Sequence, residues 1–300
     1  MRADLHVHSS ASDGTDPPAE VMARAARAGL DVVALTDHDT TAGHAEARQA
    51  LPGSLTLLPG MELSCNLHGP IRGVPGGSSP RGQHSLHLLA YLFDPGHPDL
   101  AAELSRIRDD RVLRARAMVR RLADLGVGIS WDQVAAIAGQ AVVGRPHIAR
   151  AMAAAGAIAA PHEAFTQDWI ADGGRAYVGR YALDPVRAIG LVRDAGGVTA
   201  LAHPRSGPLV SDEEVGRLAA AGLAGLEVFH PDHSDTERAG LLALAHDLDL
   251  VATAGSDDHG TLTGHRIGCE TMDADAYQAL LSRAAALPAT MSPPCGKKGR

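Results

Sequence analysis

Cysteine is scarce in this chain. Cys65, Cys269 and Cys295 are its full complement, too few and too scattered for a disulfide framework or a cysteine-rich zinc module, so a reducing, cytoplasmic setting is expected. Long apolar runs are missing too. The start offers no stretch of signal-peptide length and no later segment has the length that spans a bilayer, so no membrane partner is expected. Nor is there a surplus of positive charge. Against 35 Asp+Glu stand 27 Lys+Arg, a formal net charge of -8, which excludes a general attraction to duplex DNA and makes any phosphate site local. Aromatic residues, at 3%, carry no functional signal. What the chain does have is length for a substantial core, with 45% of its 300 residues hydrophobic, and sixteen histidines, many of them beside Asp or Glu.

Short β-branched or apolar runs alternate with helical patterns, which argues for βα units around a parallel sheet or barrel. Seven strands are expected, at 5–7, 32–36, 57–63, 86–92, 198–201, 225–229 and 250–254. Asp16-Pro17-Pro18 followed by Val21, Ala25 and Ala28 predicts an N-capped helix ending at Gly29. About a hundred residues with helical patterns part the fourth strand from the fifth, far more than one crossover requires, and predict an inserted helical subdomain. The barrel is thus expected from 1–94 and 198–290, the insertion from 95–197 and a disordered tail from 291–300. In the insertion, Leu104, Ile107, Ala115, Met118, Leu122 and Leu125 form the buried stripe of a long helix, and Arg106, Arg108, Arg114, Arg116 and Arg120 read as its solvated face. Residues 69–85, rich in Gly, Pro and Ser, read as a loop or lid at the rim.

His6-Val7-His8 lies on a strand, where residues two apart share a face, so both imidazoles can reach one metal ion. Asp13, Thr36-Asp37-His38-Asp39, Glu62, His87, Ala202-His203-Pro204 and Ser256-Asp257-Asp258-His259 follow, mostly at the C-terminal strand ends where βα barrels gather functional residues. His87, near the start of its strand, is the exception. Imidazole and oxygen ligands without thiolate favour Mn²⁺, Zn²⁺ or Fe²⁺. Such a cluster lowers the pKa of bound water and sets the resulting hydroxide beside a polarised phosphorus or carbonyl, and a carboxylate such as Glu62 can bridge two ions.

In order along the chain, Asp4-Leu5-His6-Val7-His8-Ser9, Ser12-Asp13-Gly14, Thr36-Asp37-His38-Asp39, Glu62, Ala202-His203-Pro204 and Gly255-Ser256-Asp257-Asp258-His259 resemble the signature motifs of the PHP family, named for polymerase and histidinol phosphatase. The resemblance implies an α/β fold, a distorted (β/α)7 TIM-like barrel holding three divalent ions. It implies His6, His8, Glu62 and Asp257 on the first ion, Glu62 as bridge with His87 and His203 on the second, and Asp13, His38 and His259 on the third. Three divalent ions against Asp13, Glu62 and Asp257 leave a charge of about +3, an anion trap that favours a phosphate ester over a neutral amide. Asp13 stands where histidinol-phosphatase-like members often have His, which argues against that activity. Gly144-Arg145-Pro146-His147 is similar to a motif of the stand-alone bacterial branch, phosphatases of nucleoside 3′,5′-bisphosphates and a related 5′-to-3′ exoribonuclease. Pro146 suits the first position of a helix, which puts Arg145 and free N–H groups at an anion site. The resemblance likewise makes Arg145 and His147 substrate-phosphate contacts.

Arg205, directly after His203-Pro204, offers a second guanidinium fork for phosphate. His230 or His233 either protonates the leaving oxygen or orients a metal ligand. Asp37, Asp39 and Asp258 are expected to neighbour ligands rather than bind metal. His44, His68, His84, His97, His162, His246 and His265 read as structural or surface residues, and Cys65 as a buried small hydrophobe. The expected activity is hydrolysis of a nucleotide phosphomonoester by a metal-bridging hydroxide. Its rivals are exonucleolytic attack on 5′-phosphorylated RNA, amide hydrolysis, and a metal-binding module without turnover.

Overall fold

The computed structural model describes residues 1–68, 83–206 and 210–286. Most of the expected rim loop and the whole tail lie outside them. Seven strands lie side by side in chain order, β1 (Ala3–Val7), β2 (Val32–Leu35), β3 (Thr56–His68), β4 (Gln83–Tyr91), β5 (Val198–Leu201), β6 (Gly225–Phe229) and β7 (Val251–Ala254). The expectation of a wholly parallel sheet is corrected at one strand: β4 runs antiparallel to both β3 and β5, while the other neighbours are parallel. An antiparallel pair needs no helical crossover between its strands. The inversion also brings the first half of β4 to the rim where its neighbours end. His87 pairs with Ser64, two residues past Glu62, and its carbonyl accepts from the Ala202 N–H at 3.1 Å. Closure is nearly complete: the His8 N–H donates to Asp258 O at 2.9 Å and the Asp257 N–H to His6 O at 2.8 Å, joining β1 to the segment after β7.

The helices are α1 (Pro18–Arg27), α2 (His44–Gln49), α3 (Pro98–Asp124), α4 (Trp131–Ala138), α5 (Arg145–Ala154), α6 (Pro185–Asp194), α7 (Asp212–Ala220), α8 (Asp235–Asp247) and α9 (Ala274–Ala285). Asp16 does not cap α1. Pro17 stands at the cap without a side-chain hydrogen bond, and Asp16 pairs with Arg24 at 2.7 Å instead. Helices α1 and α2 cover β1 and β2 through Val21, Met22, Val33 and Leu35. The other flank, β3 to β6, packs against α6, α7, α8 and the first half of α3, where Leu100, Leu104 and Ile107 lie. From Ala115 onward α3 changes partners, and Met118 and Leu122 join Val134, Ile148 and Met152 in a separate core with α4 and α5. One 27-residue helix therefore runs from barrel to helical lobe.

The arginines of α3 are not a single solvated face. Arg114 is buried with its Nε–H on Val178 O at 2.7 Å, and Arg106 and Arg116 lie over the rings of Tyr181 and Trp131. No described helix is long and apolar enough to cross a membrane.

Gly255, where β7 leaves the sheet, shows how tightly β1 is seated. A Cβ there would collide with the His6 Cβ and stand 2.8 Å from Glu227 Oε1. Gly255→Ala should cost about 1–3 kcal/mol or more, the usual range for overpacking, and displace His6. A melting temperature and metal content equal to those of the unsubstituted protein would show that β1 yields without cost.

Candidate metal centre

The strand ends deliver nine side chains to one rim. Three groups of donor atoms converge there: His6, His8, Glu62 and Asp257; His8, Asp13, His38 and His259; and His38, Glu62 and His87. Glu62, almost fully buried on β3, is the hub. Its Oε2 lies 3.2 Å from His6 Nε2, 3.0 Å from His8 Nε2 and 3.2 Å from His38 Nδ1, and its Oε1 lies 2.6 Å from His87 Nδ1 and 3.2 Å from His203 Nε2. His203 thus shares with His87 the oxygen opposite to the one facing His6 and His8.

These contacts fit metal ions better than protons. Nδ1 of His8, His38 and His87 is buried without a hydrogen-bond partner, although Glu62 oxygens approach two of them closely. Short distances with misaligned N–H directions are what donor atoms show when they aim at a shared centre. Burial alone raises the Glu62 carboxyl, but the imidazoles of His38, His87 and His6 hold it well below the usual carboxylate range. Asp13 and Asp257 are likewise raised by burial and lowered further by neighbouring imidazoles. Burial drives His38 down to about 3, whereas it fails to do so for His8, which hydrogen bonds to Asp257 and Glu62 carry up to about 10. Ionised carboxylates among imidazoles competing for few protons make a cluster suited to a cation.

Buried groups that the sequence reading placed beside the ligands, or passed over, orient them. Glu227 of β6, which the sequence reading passed over, accepts from His6 Nδ1 at 3.0 Å and from the His203 N–H at 2.7 Å, which leaves His6 Nε2 free for the centre. His203, Asp39 and Asp257 hold positive φ values of 27°, 54° and 48°, a left-handed geometry uncommon outside glycine. Asp37 accepts from the Ser9 N–H and the Ser9 and Ser12 hydroxyls, fixing the turn that carries Asp13. Asp258 accepts from Gly260 N, Thr263 Oγ1 and Arg266 N. Asp39 accepts from the Ser64 N–H at 2.8 Å and from Arg111 of α3, Nε at 2.9 Å and Nη2 at 2.5 Å. Arg111, which the sequence reading missed, also reaches Ser64 Oγ at 2.7 Å. Its signal was present: it occupies the position between Ile107 and Ala115 on the apolar stripe, where an arginine has no reason to be unless it is paired.

The other expected contacts separate. Arg145 borders a cavity of about 260 Å³ together with His87, His203 and Asp257, and its Nη1 rests on Asp172 at 2.6 Å. His147 faces a different cavity, beside Gly14. Arg205 turns away: its guanidinium is spent on Val210 O and Asp212 and does not line the Arg145 cavity. His230 is buried, with Nδ1 accepting the Asp232 N–H at 3.1 Å and Nε2 3.4 Å from Asp257 Oδ2. His233 donates Nδ1–H to Val228 O and accepts the Arg205 N–H, bracing the loop after β5. Arg180, also unforeseen, donates to Ser85 Oγ at 2.6 Å and stands 3.5 Å from His87 Nε2. His44 is buried on Leu35 O at 3.1 Å, and of His68 and His84 only the backbone is described. Cys65 is buried, and burial pushes its thiol well up, out of nucleophilic range.

The sequence profile of the PHP domain matches residues 4–124. A 3′,5′-nucleoside bisphosphate phosphatase from Chromobacterium violaceum is 33% identical over 270 residues, 88% of this chain and 89% of that protein. This chain belongs to the PHP family. Among its relatives are a phosphoribosyl 1,2-cyclic phosphate 1,2-diphosphodiesterase from Eggerthella lenta, 31% identical over 87% of this chain and 95% of that protein, and a 5′-3′ exoribonuclease from Haemophilus influenzae, 33% identical over 85% and 89%. A crystal structure from Bifidobacterium adolescentis, described as a candidate metal-dependent phosphoesterase, superposes with a TM-score of 0.81 at 34% identity, covering 94% of this chain and 96% of that one. The chain is a metal-dependent phosphoesterase of the PHP fold, with a His/Asp/Glu cluster suited to metal binding.

A pH effect follows from His147. Burial pushes its imidazole down to about 4, and Nδ1 accepts the Gly144 N–H at 3.0 Å, a bond that protonation breaks. The folded value lies below the ordinary 6.5, so the contribution is whole above 6.5 and is lost as pH falls toward 4. Between about pH 7 and about pH 5, His147→Gln should lose less melting temperature than the unsubstituted protein. Equal losses would assign the acid sensitivity elsewhere.

Proposed function

We propose that His6, His8, Asp13, His38, Glu62, His87, His203, Asp257 and His259 hold three divalent ions, Mn²⁺, Zn²⁺ or Fe²⁺, and that the chain hydrolyses a phosphomonoester of a nucleotide such as a nucleoside 3′,5′-bisphosphate. The observation that carries this reading is the shared Glu62 carboxylate, set between imidazole groups on both of its oxygens beside a cavity with an arginine on its wall. Ions bound there would lower the pKa of water and neutralise charge on phosphoryl oxygens. Arg145 exchanges its Asp172 partner for phosphoryl oxygens, which its planar fork matches. His230, with Nδ1 occupied as an acceptor, carries its hydrogen on Nε2 and donates toward Asp257, so it orients that carboxylate rather than serving as the acid.

The test is to incubate the metal-reconstituted protein with adenosine 3′,5′-bisphosphate and with a short 5′-phosphorylated RNA, scoring phosphate and mononucleotide separately against a chelator-treated control. Phosphate from the bisphosphate without mononucleotide from RNA is the expected result. Mononucleotides from RNA would move the assignment to an exoribonuclease, the activity named for the Haemophilus relative. Neither product would leave only the fold and the cluster.

A further inference from the structure

A second cavity, of about 440 Å³, lies between the loop after β1 and the inner face of α5. It touches none of the cluster residues that border the Arg145 cavity; instead it reaches Gly14, the residue after Asp13. Arg150 of α5 lines it. The Nε of Arg150 is buried without a hydrogen-bond partner, and no ion pair among the described residues includes this side chain; burial disfavours its charge, and the Asp13 carboxylate offsets this only through space. His147, one turn earlier, lines the same cavity. Because its Nδ1 accepts the Gly144 N–H, the hydrogen of the neutral ring sits on Nε2, a donor with no acceptor among the described residues. Among the described lining residues the acidic one is Glu46 of α2, exposed, with one oxygen accepting the Ala19 N–H at 3.2 Å. A half-buried guanidinium without a counter-ion is costly unless something supplies the charge. The α5 wall of the cavity offers donors and no carboxylate, the complement of an acceptor-rich anion.

We propose that this cavity is a second phosphoryl subsite, with Arg150 and His147 Nε2 holding the phosphate that the enzyme does not hydrolyse. The inference rests on the phosphomonoesterase reading and adds a reason for selectivity: a substrate reacting at the cluster is ranked by a second phosphoryl group on the Asp13 side. That group is either the other monoester of a small bisphosphate or the next diester of an RNA.

The experiment compares the metal-reconstituted full chain with Arg150→Gln and Arg150→Lys on three substrates. These are p-nitrophenyl phosphate, with one phosphoryl group, adenosine 3′,5′-bisphosphate, and a 5′-phosphorylated dinucleotide. In Arg150→Gln the ratio of kcat/KM on the two-phosphoryl substrates to that on p-nitrophenyl phosphate should fall at least about tenfold, through KM, with partial recovery in Arg150→Lys. A fall confined to the bisphosphate assigns the subsite to a monoester, and one confined to the dinucleotide assigns it to a diester. An unchanged ratio, whether all rates fall together or none does, overturns the proposal. Calorimetric binding of adenosine 3′,5′-bisphosphate gives the same answer without turnover: equal affinity in the unsubstituted protein and Arg150→Gln overturns the subsite. Arg150-dependent binding without hydrolysis of any substrate would sink the phosphomonoesterase reading alone.

Discussion

Glu62→Gln should lower phosphoester hydrolysis by about 10³-fold or more and leave a folded protein that retains fewer divalent ions. The change is nearly isosteric, so packing in the buried rim is preserved while the charge is removed. Five imidazoles, those of His6, His8, His38, His87 and His203, lie within 3.2 Å of the two Glu62 oxygens. An amide offers one oxygen to one side and an N–H₂ donor to the other, so at least one group of ligands loses its anionic member. Plasma mass spectrometry of the dialysed variant should therefore find at least one ion fewer per chain. A variant with unchanged activity and metal content would remove Glu62 from the centre of the account.

Arg111→Met should destabilise the fold by about 3–5 kcal/mol, because it leaves the Asp39 carboxylate buried without its cation. For a chain of this size that corresponds to a fall in melting temperature on the order of 10 °C. The damage should extend to metal binding. Asp39 follows His38 with a positive φ, and its N–H donates to Glu62 O at 3.0 Å, so the arginine on α3 holds the backbone that presents one ligand and touches another. Arg111→Lys should recover only part of the loss, since an ammonium cannot reproduce two donors to one oxygen and a third to Ser64. Wild-type melting with normal metal content in Arg111→Met would show that α3 is attached to the rim but does not organise it.

Much of this could be read in the sequence, and the omissions have physical reasons. The strand positions were legible because each short apolar run ends in a ligand-type residue or a turn. The direction of β4 was not, because hydrophobic alternation has no polarity, and so His87 looked misplaced until the inverted strand carried it to the rim. The nine cluster residues were legible from order and residue type. Their orienting partners were harder: Glu227 and Arg111 are single charged residues on otherwise apolar elements, and a sequence does not say which distant group they meet. The partners of Arg205 were hidden for the same reason, since nothing in its neighbourhood signals that Val210 O and Asp212 take its donors. The Gly144-Arg145-Pro146-His147 motif was read as one contact surface. Helical geometry splits it, with Arg145 on one cavity and His147 on the other.

The central claim is that this rim is a metal centre. Anomalous diffraction at the manganese edge, from crystals of the full chain equilibrated with Mn²⁺, tests it most directly. The account predicts peaks within ligand distance of Glu62, one toward His6, His8 and Asp257, one toward His87 and His203, and one toward Asp13, His38 and His259. Crystals saturated with Mn²⁺ that show no peak at Glu62 would contradict it.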